Sequence, residues 1–250
     1  TRGKEIAVIS AMHSNNELGS IQPIAEIVKI AGDIPVHTDA VQSFGKVEFN
    51  FSKLGVTAAT ISAHKIGGPL GVAALVLKRG LDLTPVLHGG GQEREIRSGT
   101  LNAPSIVAFT AAAEYAIANM ASNFAKIREL RDYFIAGLKK SVPDVSINSV
   151  SDPALPGIVN ATFPGTESDA LLLLLDTEGI SASAGSACSA GVPRPSHVLV
   201  ALGLSESDAD ASLRISIGTT NTKSEIDQVL AVMPSVVERA RNAFVVSELN

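Results

Sequence analysis

Ser62, His64 and Lys65 close the run "AATISAHK" and stand directly before Gly67, Gly68 and Pro69. A lysine at the carboxyl end of a buried strand is costly unless it is exposed, paired or covalently used. It either reaches solvent or serves as a Schiff-base amine. "HTDAVQS" puts Asp39 at the end of another short run, with Gln42 and Ser43 after it. An Asp there caps a turn or offers a carboxylate to a ligand. "SLRIS" sets Arg214 in an otherwise apolar strand, where its guanidinium needs an anion, either a bound carboxylate or an internal Asp or Glu. The single cysteine, Cys188, lies in "SASAGSACSAGVPRPSH" among Ser, Ala and Gly. One thiol makes no internal disulfide, so it is filler, a free thiol or a nucleophile.

Two loops add polar groups. "HSNNELG" (13–19) follows the first apolar run, and its asparagines either make turns or hydrogen-bond a ring oxygen. "HGGGQEREIRSGT" (88–100) combines three glycines with Arg94, Arg97, Ser98 and Thr100, a make-up for contacting phosphate or for a solvated loop. A lysine to hold an aldehyde carbon and a carboxylate to keep a ring nitrogen protonated are what pyridoxal phosphate enzymes require. Two parallel strands ending in Asp39 and Lys65 can supply both.

The elements that must position these residues follow from periodicity. "EIAVISA" (5–11), "PVHTDA" (35–40), "AATISA" (58–63) and "GVAALVLK" (71–78) are of strand length, and "IQPIAEIVKIAG" (21–32) has helical spacing with Pro23 near its start and Gly32 at its end. Strand, helix, strand predicts an α/β fold with a mostly parallel sheet, whose ligand sites lie at the carboxyl ends of the strands. The helical spacing from Pro104 to Lys140 is too long for one unbroken globular helix and predicts a break and a domain change near Met120. Residues 1–120 then form part of a large domain and 121–250 a smaller α/β domain carrying the cysteine loop. In the smaller domain strands fall at 157–163 and 212–218 and helices at 167–179, 195–203 and 222–244. Thr222 and Glu225 form a capping-box pattern at the start of the last helix.

With 250 residues, 45% hydrophobic, 4% aromatic and a net charge of -5, the chain can bury a large core and has no basic footprint for nucleic acid. "ALLLLLD" (170–176) is too short to span a bilayer. Small-molecule and protein partners in the cytoplasm or an organelle matrix are expected.

"MHSNNELGSIQPI", "HTDAVQSFGK", "SAHKIGGPLGVAAL", "HGGGQEREIRSGTLN", "SAGSACSAG", "PSHVLVALG" and "LRISIG" occur in one register along nearly the whole chain. This series resembles the cysteine desulfurases of the class V aminotransferase family, in the long-loop group that serves iron–sulfur assembly. The resemblance implies the fold-type I architecture of pyridoxal-phosphate-dependent transferases, a homodimer, and conversion of L-cysteine to L-alanine with persulfide formation on Cys188, supplying sulfur for iron–sulfur clusters or for thiolation of transfer RNA. Lys65 would hold the cofactor aldehyde carbon, Asp39 the pyridine nitrogen and Gln42 the ring oxygen. Ser62 and His64 would hold the phosphate, joined by Thr100 from the other subunit. Asn16 would lie near the ring oxygen and the substrate carboxylate, which Arg214 would clamp. No intrinsic metal is implied, although Cys188 would meet iron–sulfur chemistry transiently through its persulfide and a sulfur-acceptor or iron–sulfur scaffold protein.

The same resemblance implies a further segment before Thr1, with the histidine that stacks on the ring and a phosphate-binding threonine. The chain thus reads as a C-terminal portion with an incomplete large domain. The alternatives are another class V enzyme, such as a selenocysteine lyase or an aminotransferase, or a non-catalytic fragment that keeps dimer and acceptor surfaces. Cys188 argues against the first, and Lys65 with Asp39 against the second.

Overall fold

The computed structural model describes residues 5–150, 152–185 and 195–248. The chain divides into two compact units, Thr1–Ser14 with Gln22–Ala121 and Asn15–Ile21 with Ser122–Asn250.

The first unit is built on a four-stranded sheet in the order β1 (Ile9–Met12), β2 (Val36–Asp39), β3 (Ala58–Ser62), β4 (Ala73–Leu77). β1, β2 and β3 run parallel, and β4 pairs antiparallel to β3. The parallel steps need crossovers, which α1 (Ile24–Ala31) and the short α2 (Phe51–Leu54) provide. β3 reaches β4 through the tight Gly67–Gly68–Pro69 turn, so this last strand returns antiparallel. Side chains alternate across the sheet. Ile9, Ala11 and Val36 face a cluster with Ile24, Ala31 and Val56, while Ile61 and Ala63 pack with Phe109 of α3 (Ala103–Ala118). The opposite face carries Ser10, His37 and Thr60, joined by hydrogen bonds between His37 Nδ1 and Ser10 Oγ and between His37 Nε2 and Thr60 Oγ1, both 2.8 Å.

Asn102 caps α3 by accepting from Ser105 N at 3.3 Å, and Pro104 occupies its first turn. The long helical run is interrupted at Asn119, where α3 ends and α4 (Met120–Ser141) begins.

The second unit contains a three-stranded sheet, β5 (Ser146–Ile147), β6 (Ile158–Thr162) and β7 (Ser212–Ser216), with α5 (Ser168–Thr177), α6 (His197–Ala201), α7 (Glu206–Asp210) and α8 (Lys223–Glu248). Both of its strand pairings are antiparallel, so the strand–helix alternation here does not build a second parallel sheet. α4, α5 and α8 close its core, in which Phe134, Leu138, Phe163, Leu171, Leu213 and Met233 are buried together. The capping box is formed: Glu225 Oε2 accepts from Thr222 N at 2.8 Å, and Thr222 Oγ1 accepts from Glu225 N at 3.3 Å. No helix among the described residues is long and apolar enough to cross a membrane.

Candidate active site

Parallel register fixes the first group of residues. Met12, Asp39 and Thr60 are aligned across β1, β2 and β3, so β1 and β2 end side by side and β3 runs on to Ser62. Asp39 is the last residue of β2, and its exposed side chain accepts from Val41 N at 2.9 Å through Oδ1. The second carboxylate oxygen has no partner among the described residues. Ser62 ends β3 and pairs with His64 Nδ1 at 2.8 Å. Lys65 follows on the 3-10 turn Ala63–Ile66, exposed and without a hydrogen-bonded or ion-paired partner among the described residues. An amine, a carboxylate and a hydroxyl–imidazole pair thus stand at the carboxyl edge of one sheet, where ligands of open α/β sheets bind.

Gln42 is half-buried one turn beyond Asp39, and its Oε1 accepts from Lys46 Nζ at 3.3 Å. With the carbonyl so engaged, the Gln42 amide N–H groups remain as donors. Burial, with the positive charge of Lys65 nearby, pushes the Lys46 ammonium down from 10.5 to about 8. Behind this edge His13 is only 4% exposed, with Nδ1 2.7 Å from Ser43 Oγ and its ring edge-on to Phe49 at 5.5 Å. Ser43 Oγ also bonds Ser14 Oγ, and burial lowers the His13 pKa. Lys46, His13 and Ser43 give no sign of this in the sequence, because a lysine after a Phe-Gly turn reads as a solvated surface residue.

The loop 88–100 closes on itself. Gly99 N donates to Gln92 Oε1 at 2.9 Å and Gly91 N to Ser98 Oγ at 3.3 Å. Glu93, Arg94 and Glu95 all take positive φ, of 51, 57 and 65°. Thr100 lies exposed just beyond.

The second unit holds Asn16 and Arg214. Arg214 stands in β7 opposite Asn160, and its main chain exchanges two hydrogen bonds with Ser183, at 3.1 and 2.7 Å. Its Nη1 donates to the Asn16 carbonyl oxygen at 3.1 Å, while its Nε is buried without a partner. No Asp or Glu among the described residues pairs with it. Among the described residues the internal-carboxylate option for this arginine is not realised, which leaves part of its guanidinium fork for an anion. Asn16 meets Arg214 through its main chain. Cys188 lies outside the described residues. No cluster of three or more His, Cys, Asp or Glu side chains suited to a metal ion occurs among the described residues.

A mostly parallel sheet with a lysine and a carboxylate at its carboxyl edge is an α/β arrangement of the kind aminotransferases use. The chain belongs to the class V aminotransferase family, whose model matches residues 2–229. It is 45% identical over 242 residues to an "IscS-like cysteine desulfurase" of Mycobacterium tuberculosis, covering 96% of this chain and 62% of the relative. It is 42% identical over 240 residues to a "Cysteine desulfurase IscS" of Dictyoglomus turgidum, covering 95% of this chain and 61% of the relative. Among solved structures, a NifS-like protein from Rickettsia africae superposes with a TM-score of 0.85 at 37% identity, covering 92% of this chain and 62% of that one. A structure described as SspA in complex with cysteine superposes with a TM-score of 0.69 at 35% identity, covering 86% and 60%. The chain spans less than two thirds of the length of each of these proteins. The similarity bears out the fold-type I expectation.

Proposed function

We propose that this chain works as a pyridoxal-phosphate-dependent cysteine desulfurase, releasing L-alanine from L-cysteine and keeping the sulfur on Cys188. The observation that carries the reading is that the Lys65 amine, without a partner among the described residues, and the half-free Asp39 carboxylate stand at the same edge of a mostly parallel sheet. The names of the relatives point the same way.

The donor set suits the cofactor. Lys65 would hold its aldehyde carbon, Asp39 its ring nitrogen, and Gln42 and the Asn16 side chain its ring oxygen. Ser62 and His64 would hold the phosphate, with Thr100 supplied by the second subunit of a homodimer. When bound, pyridoxal phosphate supplies an electron sink for the negative charge that develops at the substrate Cα. Asp39 would keep the ring nitrogen protonated. Lys65, without a carboxylate partner among the described residues, would carry the Cα proton. Arg214 would take the substrate carboxylate on the donors that Asn16 leaves open, which fixes the amino acid by its charged end.

Cys188, as a thiolate, attacks the substrate sulfur: the S–S bond forms as the Cβ–S bond breaks, and its electron pair stays with the carbon skeleton. Proton return to that skeleton completes alanine. The net change is L-cysteine plus thiol to L-alanine plus persulfide, with no external oxidant or reductant. A sulfur-acceptor or iron–sulfur scaffold protein in the cytoplasm would then take the sulfur.

The test is a visible absorption titration of the purified chain with pyridoxal phosphate and then L-cysteine, with alanine assayed in parallel. The reading expects a cofactor band that is absent in Lys65→Ala and alanine that is absent in Cys188→Ser. A folded chain whose band persists in Lys65→Ala, or whose alanine output is unchanged in Cys188→Ser, overturns it.

A further inference from the structure

Lys46 is half-buried, and among the described residues its ammonium pairs with no carboxylate. Its Nζ has a neutral partner instead, the Gln42 Oε1 acceptor at 3.3 Å. A lysine stem can usually carry its head to water. Here burial is the larger of the two causes that lower its pKa, and the charge of Lys65 the smaller. An ammonium held on these terms is costly, which raises the question of what its one hydrogen bond does.

The backbone fixes both partners. Beyond β2 the chain turns through bonds from Ser43 N and Phe44 N to Ala40 O, at 3.0 and 2.9 Å, and from Lys46 N and Val47 N to Ser43 O, at 2.9 and 3.1 Å. Gln42 and Lys46 stand four residues apart on this turn, the spacing at which side chains of a helical turn meet. Ser43, between them, is buried and bonded to His13 and Ser14. Gly45 has a φ of 73°, and a Cβ built there would lie 2.8 Å from Ala116 Cβ and 3.1 Å from Ile66 Cγ2. The turn therefore packs on α3 and on the residue that follows Lys65, at a position where only glycine fits.

The chemistry of the pair is asymmetric. An ammonium only donates, whereas a glutamine amide has one accepting and one donating side. The side that faces Lys46 is therefore the carbonyl, and flipping the amide would set two donors against each other. The N–H side has no partner among the described residues. We propose that Lys46 is a positioning residue for Gln42: it occupies the carbonyl oxygen and commits the N–H side to an acceptor bound at the carboxyl edge of the first sheet. The inference rests on the desulfurase reading only for naming that acceptor, the ring oxygen of pyridoxal phosphate. With an apolar residue at 46 either side of the amide could face the ligand, and its freedom would be lost on binding.

The experiment uses the 15N-labelled chain, in which the Gln42 side-chain amide is assigned by its loss in Gln42→Ala. Before any cofactor is added, the heteronuclear NOE of that amide should be high in the unsubstituted chain and in Lys46→Arg, which keeps a donor-only cation, and low in Lys46→Met. The dissociation constant of pyridoxal phosphate is then measured by visible absorption. Lys46→Met should raise it about 3- to 10-fold, the size of one lost hydrogen bond, and Lys46→Arg should stay close to the unsubstituted chain. In the Gln42→Ala background Lys46→Met should add nothing further. An unchanged NOE in folded Lys46→Met overturns the proposal, as does a full loss of affinity from Lys46→Met in the Gln42→Ala background. If Lys46→Met does not fold, Lys46→Ala takes its place. The NOE needs no cofactor, and the Lys65-dependent band tests the desulfurase reading, so each can fail without the other.

Discussion

The carboxyl edge of the first sheet and the Asn15–Gly19 turn of the second unit hold their functional groups in opposite ways. At the sheet edge Asp39 and Lys65 are exposed, and only the parallel register aligns the strand ends that carry them. In the turn Asn15, Glu17 and Leu18 are buried, and each is held by a specific partner. A group suited to bind a ligand keeps at least one polar atom without an internal partner, as Asp39 does, whereas a group held inside, as Glu17 is by Ser196, is satisfied there. That contrast predicts which substitutions cost function alone and which also cost stability.

The largest effect on function with the least on stability is expected at Asp39. Asp39→Asn should lower alanine formation by about 10²-fold or more through lost electrostatic support, while the urea midpoint stays within the equivalent of about 0.5 kcal/mol expected at an exposed site. Parallel loss of both would show that the carboxylate is structural. Arg214→Ala is next. It should raise KM for L-cysteine by roughly 10- to 100-fold, as for a lost charge-assisted pair, and an unchanged KM would remove Arg214 from substrate binding.

Gly157 sharpens the other side of the comparison. A Cβ there would sit 2.1 Å from the Ile217 carbonyl oxygen and 2.8 Å from Ile127 Cγ2, beside the core of the second unit. Gly157→Ala should cost about 1–3 kcal/mol or more in urea unfolding. Cofactor binding measured well below the unfolding midpoint should be unaffected.

Lys46 breaks the simple division, because it belongs to the first unit yet is held internally. Its pKa falls from 10.5 to about 8 on folding, so between these values the unfolded chain binds more protons than the folded one. Stability should therefore rise with pH from about 8 to about 10.5. Lys46→Met should flatten that part of the profile, and this is the smallest of the four effects. An equal slope in the variant would assign the pH dependence to other groups.

Much of the first unit was legible in the sequence. Short apolar runs ending in Asp39 and Ser62 became β2 and β3, the helical spacing of 21–32 became α1, and the long run broke at Asn119, one residue from the expected position. Capping signals at Thr222 held as well. The first strand was misplaced by a few residues, since "EIAVISA" is uniformly apolar and carries no alternation to mark its ends. The short elements α2, α7 and β5 escaped because a single turn or a two-residue strand has too little periodicity to be seen.

By itself the sequence determined the family, through several motifs in one register, and the identity of the chemically able residues. It also determined most of the local elements, because helical and strand periods and caps are properties of neighbouring residues. Only the tertiary structure decided that β4 and the whole second sheet pair antiparallel, and that residues 15–21 join the second unit. It alone also decided that no carboxylate among the described residues pairs with Arg214, that Lys46 loses its solvent, and that Glu17 meets Ser196. Strand direction, desolvation and hydrogen bonds between residues as distant as 17 and 196 depend on which segments meet in space, and no local pattern carries that information.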